Sequence, residues 1–129
     1  MRDRPTGPEL LACARKVLRE DVLPALPAAS KPTLLMVMNA MSIAERQLQF
    51  GDAPEARELD ALRQLLDERV ATLADGNRLL ASQLRAGAAD PGRAQRGALL
   101  AHLRTIAGQR LAESNPKLLP GGSDAGTTR

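Results

Sequence analysis

The chain has few of the side chains on which many binding sites depend. Its 129 residues include one Phe, no Trp, no Tyr, one Cys and one His. Platforms on which single-stranded nucleic acid stacks need several aromatic rings. A zinc site or a disulfide framework cannot be built from Cys13 and His102 alone. These scarcities exclude all three classes, and we expect neither a metal nor a cofactor.

Aliphatic side chains must therefore form the core. The chain is 43% hydrophobic, and Leu and Ala together make up about a third of it. β-Branched residues are scarce, and this balance favours helix over sheet. A chain of this length can bury roughly two thirds of its unfolded surface, so a core is possible without disulfides or metal. The composition predicts an all-α protein.

Capping signals divide the chain into helices. Thr6 with Glu9 three residues later forms a capping box, which predicts a first helix beginning near Pro8. Gly51 offers a positive-φ end to the second helix, and Gly76 is assigned to the end of the third. We predict four long helices and one short one, over about residues 8–22, 30–50, 52–75, 77–84 and 90–111.

Short connections place consecutive helices antiparallel, so the five helices are expected to pack as an antiparallel bundle. The predicted bundle domain covers residues 8–112, after an N-terminal extension over 1–7. Residues 113–129 lose helical periodicity and are predicted to be a C-terminal segment and disordered tail. The second helix is apolar on most of its circumference, and we expect it at the centre of the bundle.

The net charge of +3 conceals two stretches of opposite sign. Residues 52–75 carry seven acids against three bases, a net −4, and residues 78–110 carry six bases against one acid, a net +5. No run of consecutive Lys or Arg indicates a nucleic-acid-binding arm, so no nucleic acid partner is expected. The two stretches can satisfy each other within one bundle or between two copies as a homodimer.

Targeting signals are missing from the sequence. The first residues lack the apolar stretch of a signal peptide. The longest uncharged apolar stretch, residues 32–44, is shorter than the ~20 residues that a membrane span needs. We therefore expect a cytoplasmic protein without a membrane partner, in which the unpaired Cys13 is a packing residue.

Several polar side chains fall on stripes that helical periodicity assigns to the core. They indicate either a polar pocket or an internal ion-pair network that fixes helix register, and the network is favoured because no Glu-x-x-His motif occurs. His102 falls at the edge of such a stripe, as a boundary residue. No catalytic residue is assigned. The candidate ligand-binding residues are Asp21, Asn39, Glu45, Arg46 and Arg110.

Four phrases of the chain together resemble a bacterial family of small proteins of unknown function: Pro8-Glu9-Leu10-Leu11, Glu20-Asp21-Val22-Leu23-Pro24-Ala25-Leu26, Asn39-Ala40-Met41-Ser42-Ile43-Ala44-Glu45-Arg46-Gln47-Leu48 and Asn115-Pro116-Lys117-Leu118-Leu119. In that family the genes commonly lie beside an aminoglycoside-kinase-type phosphotransferase and an acyl-CoA dehydrogenase, and the domain is sometimes joined to the phosphotransferase. The resemblance implies an accessory domain that partners one of these enzymes. The family more typically has Arg-Glu-Leu where this chain has Arg46-Gln47-Leu48, which argues against a catalytic carboxylate at position 47.

Three functional hypotheses remain open. The leading one is a non-catalytic accessory protein that binds a phosphotransferase-like or acyl-CoA-metabolising enzyme through a helix face. The alternative is a small-molecule-binding helical bundle whose ligand is an acyl-CoA fragment or another anion. An enzyme that uses Asp21 or Glu45 as a base ranks last, because no complete catalytic constellation is present.

Overall fold

The computed structural model describes residues 4–66 and 69–120, and all regular structure in these ranges is helical. The all-α prediction is therefore confirmed, whereas most of the predicted disordered tail, residues 121–129, lies outside the described residues. The elements in chain order are α1 (Gly7–Val17), a π-helical segment (Leu18–Val22), α2 (Leu23–Ala25), a 3₁₀ turn (Ala28–Ser30), α3 (Lys31–Phe50), α4 (Ala53–Leu66), α5 (Leu73–Arg85), α6 (Arg96–Ser114) and a second 3₁₀ turn (Pro116–Leu118).

The chain divides into two compact units, Met1–Gly51 and Asp52–Arg129. The first unit contains α1 to α3, and the second contains α4 to α6. Gly51 lies at the division with a φ of 60°, a backbone conformation that glycine adopts without a steric cost. The end of α3 is therefore where the sequence predicts it. A single bundle domain over residues 8–112 stays a prediction.

In the first unit, α1 begins with the predicted capping box. A carboxylate oxygen of Glu9 accepts hydrogen bonds from the backbone N–H of Thr6 at 2.7 Å and from its hydroxyl at 2.9 Å. These two bonds lower the pKa of Glu9, because both stabilise the ionised carboxylate. Gly7 approaches Leu48 while Arg15 reaches Ser42, so α1 and α3 run antiparallel.

The expectation that α3 lies at the centre of the core is wrong. Only Met38 is buried on this helix. Its other large apolar side chains include several that are at least 44% exposed: Leu35, Met36, Val37, Leu48 and Phe50. Apolar residues around most of a helix's circumference therefore indicated here a helix with an open face, not a central one.

The buried core lies in the second unit. Leu62 and Leu66 of α4 pack with Val70, with Leu80 of α5 and with Leu99 of α6, and Leu62 and Leu99 are fully buried. Because α4 packs against both α5 and α6, it is the helix that organises this unit. Helices α4, α5 and α6 thus supply the core.

The predicted third helix, over residues 52–75, is wrong in its second half. Helix α4 ends at Leu66, and α5 begins at Leu73 with the hydroxyl of Thr72 accepting the backbone N–H of Asp75 at 3.1 Å. This is an N-cap, which satisfies one of the free backbone donors at the start of a helix. Gly76 and Asn77 lie inside α5, so neither ends nor begins a helix.

Candidate functional site

Glu45, one of the predicted site residues, forms an ion pair across the α1–α3 contact. Its Oε2 lies 2.5 Å from Nη2 of Arg15, and the two side chains are 15% and 24% exposed. Nη1 of Arg15 donates to the hydroxyl of Ser42 at 2.8 Å, and that hydroxyl donates to the backbone oxygen of Met38. The Glu45 carboxylate is therefore neutralised within the first unit, where it holds two helices in register.

The other predicted site residues differ in their surroundings. Asp21 lies in the π-helical segment and is exposed. A π-helix turns through less than 100° per residue, so the projection that placed Asp21 among core positions does not hold there. Asn39 is exposed and Arg46 half-buried on α3, whereas Arg110 is exposed on α6 of the second unit. Ligand binding by this set stays a prediction.

An open groove of about 540 Å³ runs between α4 and α6 of the second unit. This volume is within the range of small-molecule sites. Small and apolar side chains from both helices form much of its lining, and polar side chains complete it. The lining residues are Arg57, Glu58, Ala61, Gln64, Leu65, Ala98, Ala101, His102, Thr105, Ile106 and Gln109.

Two buried polar side chains line this groove. Glu58 is 6% exposed, and its Oε1 accepts the side-chain amide of Asn77 at 3.1 Å. His102 is 9% exposed, and its Nε2 is buried without a hydrogen-bond partner in the described part of the chain. The expectation that His102 is a boundary residue is therefore wrong.

Sequence reasoning did not assign either residue to a site, although helical spacing carries the signal. Glu58 precedes the fully buried Leu62 by four residues, and His102 follows the fully buried Leu99 by three. Residues three and four apart share a helix face, so both positions belong to the buried stripes of their helices. The spacing to a fully buried leucine therefore marks both positions as buried.

The groove's chemistry suits binding more than catalysis. Its single hydroxyl is that of Thr105, which donates to the backbone oxygen of Ala101 at 3.0 Å. Catalysis by a hydroxyl nucleophile needs an adjacent base that accepts its proton, and the Thr105 hydroxyl donates to this backbone oxygen instead of to the imidazole or the carboxylate of the lining. Within residues 4–66 and 69–120, no cluster of three or more His, Cys, Asp or Glu side chains is arranged to hold a metal ion.

These features define a small all-α protein with an open face on α3 in its first unit and a groove with buried polar groups in its second. Residues 24–118 match a domain of unknown function, DUF6285, and the chain belongs to that family. Comparisons with curated proteins and with solved structures gave no match. None of the helices in the described ranges combines the length and the apolar character needed to cross a membrane.

Proposed function

We propose that this protein is a non-catalytic, cytoplasmic accessory protein that binds a metabolic enzyme through α3. The class of enzyme proposed is a phosphotransferase of the aminoglycoside-kinase type or an acyl-CoA dehydrogenase. This choice rests on the resemblance of the four sequence phrases to a family whose genes lie beside such enzymes. The observation that carries the binding role is the open apolar face of α3.

That open face has the periodicity of a helix-docking surface. Met36, Ala40, Ile43, Gln47 and Phe50 recur at alternating intervals of four and three residues, and we call these five the outer face of α3. Met36 is 73% and Phe50 44% exposed. Alternating intervals of three and four place side chains in one stripe along a helix, which is the pattern of helix pairs. Gln47 is the one polar member.

The outer face lies away from the side of α3 that already has a neighbour. Arg15 of α1 contacts Ser42 and Glu45, which share a face with the buried Met38. Burying one large apolar side chain contributes roughly 1.5–3 kcal/mol. Burying the exposed 73% of Met36 and 44% of Phe50 therefore contributes about 1.1–2.2 and 0.7–1.3 kcal/mol. Since about 1.4 kcal/mol corresponds to a tenfold change in affinity, Met36 accounts for about a six- to fortyfold part of partner binding and Phe50 for about a three- to ninefold part.

Charge substitution on the outer face tests the proposal. The tagged protein is expressed in its source organism, and the proteins that co-purify are identified by mass spectrometry. We expect a phosphotransferase-like enzyme or an acyl-CoA dehydrogenase among them. Met36→Lys should weaken binding of the purified enzyme about sixfold or more, and Phe50→Lys about threefold or more.

Gln49→Lys is the matched control, because Gln49 is exposed on the same helix but outside the outer face. It adds the same charge to α3 and should leave binding of the enzyme unchanged. Circular dichroism of all three variants checks that the helices are retained. The proposal fails if neither enzyme class is recovered, or if Gln49→Lys weakens binding as much as the other two substitutions do.

The groove between α4 and α6 favours a second candidate function, the binding of a small molecule. The ligand proposed from the sequence is an acyl-CoA fragment or another anion. A ligand that binds the folded state raises the melting temperature, by an amount that grows with the logarithm of the ratio of its concentration to its Kd. Stabilisation by acyl-CoAs or phosphorylated metabolites in a thermal-shift screen would support this function, and no stabilisation by any of them would remove its support.

A further inference from the structure

We infer that two copies of this chain pair through one flank of the hairpin formed by α1 and α3, and that the four helices form a bundle. The surface involved is separate from the outer face of α3 and combines apolar side chains of both helices. The inference goes beyond the proposed function, because the partner is a second copy of the chain and not an enzyme. It depends on apolar contact and not on the two oppositely charged stretches.

Helix α1 has an apolar stripe beside the side that packs on α3. Gly7 and Arg15 mark the packed side, because both approach residues of α3. Leu10, Ala14 and Val17 recur at intervals of four and three residues, and at about 100° per residue their stripe lies about a quarter of a turn from the packed side. Leu10 is 55% and Val17 48% exposed. This flank of α1 is therefore apolar and open.

Helix α3 has a matching stripe. Val37, Met41, Ala44 and Leu48 recur at intervals of four, three and four residues. They lie about a quarter of a turn from Met38, the buried residue of the helix. Val37 is 48% and Leu48 55% exposed, and the other two are half-buried. This stripe is distinct from the outer face, which lies opposite Met38.

The two stripes lie on the same side of the hairpin. Each is displaced counterclockwise from its packed side when the helix is viewed from its N-terminus, and in an antiparallel pair this displacement points to one side for both helices. We call their seven residues the hairpin face. The face contains no charged residue, whereas the opposite flank carries Lys16, Asn39 and Arg46. The hairpin is thus amphipathic as a unit.

The first unit has little core of its own. Within residues 4–51, Met38 is the one apolar side chain that is buried. Folded units of about 40–60 residues are marginal, because they bury a small share of their surface. A second layer on the hairpin face would bury the exposed parts of Leu10, Val17, Val37 and Leu48. Such a layer therefore adds the core that this unit lacks.

A second copy fits the hairpin face in width and in charge. The face is two helices wide, and a layer of two helices covers it, as in four-helix bundles. Since the face is uncharged, a two-fold axis brings no like charges together across it. A single helix would fill the space between α1 and α3 and leave part of both stripes open.

The extent of the face is enough for a small specific interface. Helices α1 and α3 have 11 and 20 residues, which correspond to lengths of about 16 and 30 Å. At about 10 Å of width for each helix, the footprint is roughly 400–500 Å² in each copy. The accessible area of a ridged surface exceeds its footprint, so the face approaches the roughly 600 Å² per partner at the lower end of stable interfaces.

The mass of the full chain in solution tests the inference. Light scattering coupled to size-exclusion chromatography is measured under reducing conditions, up to about 1 mM protein. We expect twice the chain mass of 13.8 kDa. Val37→Lys and Leu10→Lys should each raise the Kd of the dimer about tenfold or more, because a two-fold dimer contains each substitution twice.

Leu35→Lys is the matched control for Val37→Lys. Leu35 is 51% exposed on the same helix, but it is displaced from Met38 in the opposite sense and lies outside the hairpin face. The control removes an equally exposed apolar side chain and adds the same charge, and it should leave the Kd of the dimer unchanged. Circular dichroism checks that the helices are retained. If Val37→Lys does not fold, Leu10→Lys decides the result.

The single cysteine offers an independent measurement. Cys13 is exposed on α1, and the chain has no other cysteine, so a nitroxide attached to it gives one spin label in each copy. A dipolar coupling between labels can therefore arise only between copies. We expect this coupling in the unsubstituted protein and in Leu35→Lys. It should be lost in Val37→Lys and weakened by an excess of unlabelled protein.

Each remaining result decides the inference. A mass of 13.8 kDa at about 1 mM, or a dimer that survives both Val37→Lys and Leu10→Lys, would overturn it. A monomer that Val37→Lys destabilises would overturn it as well, and would mean that the face is covered within one copy. Met36→Lys on the outer face should weaken enzyme binding and leave the dimer intact, so the dimer and the accessory role can fail separately. Loss of the dimer in Met36→Lys or Leu35→Lys, to the extent seen in Val37→Lys, would reject the hairpin face as the interface.

Discussion

Gly76 occupies a position in α5 at which a methyl group does not fit. A Cβ atom built on this residue would lie 2.9 Å from Leu62 Cδ1 and 2.9 Å from Val70 Cγ1. Leu62 is fully buried and Val70 is 6% exposed, so both neighbours are held within the core. Val is also stiff at its first side-chain torsion. We therefore predict that Gly76→Ala destabilises the second unit.

The magnitude follows from two opposing effects. In a helix interior, Ala is about 1 kcal/mol more favourable than Gly. Overpacking a well-packed core costs about 1–3 kcal/mol. If overpacking costs about 2 kcal/mol, the centre of that range, and helix propensity returns about 1 kcal/mol, Gly76→Ala should lower the free energy of unfolding by about 1 kcal/mol.

Gly108→Ala is the matched control for this prediction. Gly108 lies in the interior of α6 in the same unit, and a Cβ atom there has no neighbour within 4 Å. This substitution should gain helix propensity without a clash and raise the free energy of unfolding by about 0.5–1 kcal/mol. The two Gly→Ala substitutions are thus expected to have effects of opposite sign.

Urea unfolding followed by far-ultraviolet circular dichroism measures both variants. The chain has no Trp or Tyr, so fluorescence offers no comparable signal. At an unchanged slope, the unfolding midpoint should fall for Gly76→Ala and rise for Gly108→Ala. A midpoint for Gly76→Ala at or above that of the unsubstituted protein would refute the close packing of α4 against α5 at this position.

Two further predictions concern the first unit. In a double-mutant cycle of Arg15→Met and Glu45→Gln, measured by urea unfolding, we expect a coupling energy of about 1 kcal/mol. This value is near the top of the range for exposed pairs, because both side chains are more than three quarters buried. A coupling energy of zero would mean that this pair does not hold α1 on α3. For Glu9 the pKa is lowered on folding from its ordinary value of 4.5, so its contribution to stability is full above that pH and is lost as the pH falls through the lower folded value. The stability difference between the unsubstituted protein and Glu9→Gln should therefore shrink below about pH 4.5, and a difference that stays constant through that range would contradict the capping role.

Helix ends were predictable from the sequence where the signal is local. The capping box of Thr6 with Glu9 and the glycine at position 51 act on their own neighbours, and both are where they were predicted. The break after α4 depends instead on tertiary packing. Val70 is buried, and its backbone oxygen accepts the Nε proton of Arg63 at 2.9 Å. Gly76 was assigned to the end of the third helix, whereas the N-cap of Thr72 on Asp75 begins α5 before it.

The candidate sites show the same division between local and tertiary information. Helical periodicity identified Glu45 as a charge that needs a partner, yet the choice of Arg15 as that partner depends on how α1 packs on α3. The groove was not predictable in this way, because it is bounded by two helices that are separated in the chain by α5. Periodicity can mark Glu58 and His102 as buried, whereas the groove between α4 and α6 depends on small residues of both helices.

The structure also changes the meaning of the two oppositely charged stretches. The acidic stretch includes α4, and the basic stretch includes most of α5 and most of α6, so both belong to the second unit. Since α4 packs against α5 and α6, the opposite charges lie on neighbouring helices of one chain. They can therefore satisfy each other without a second copy, and charge complementarity no longer favours a homodimer.

The outer face of α3 carries no charged residue, so partner binding there should depend on apolar contact and vary little with salt concentration.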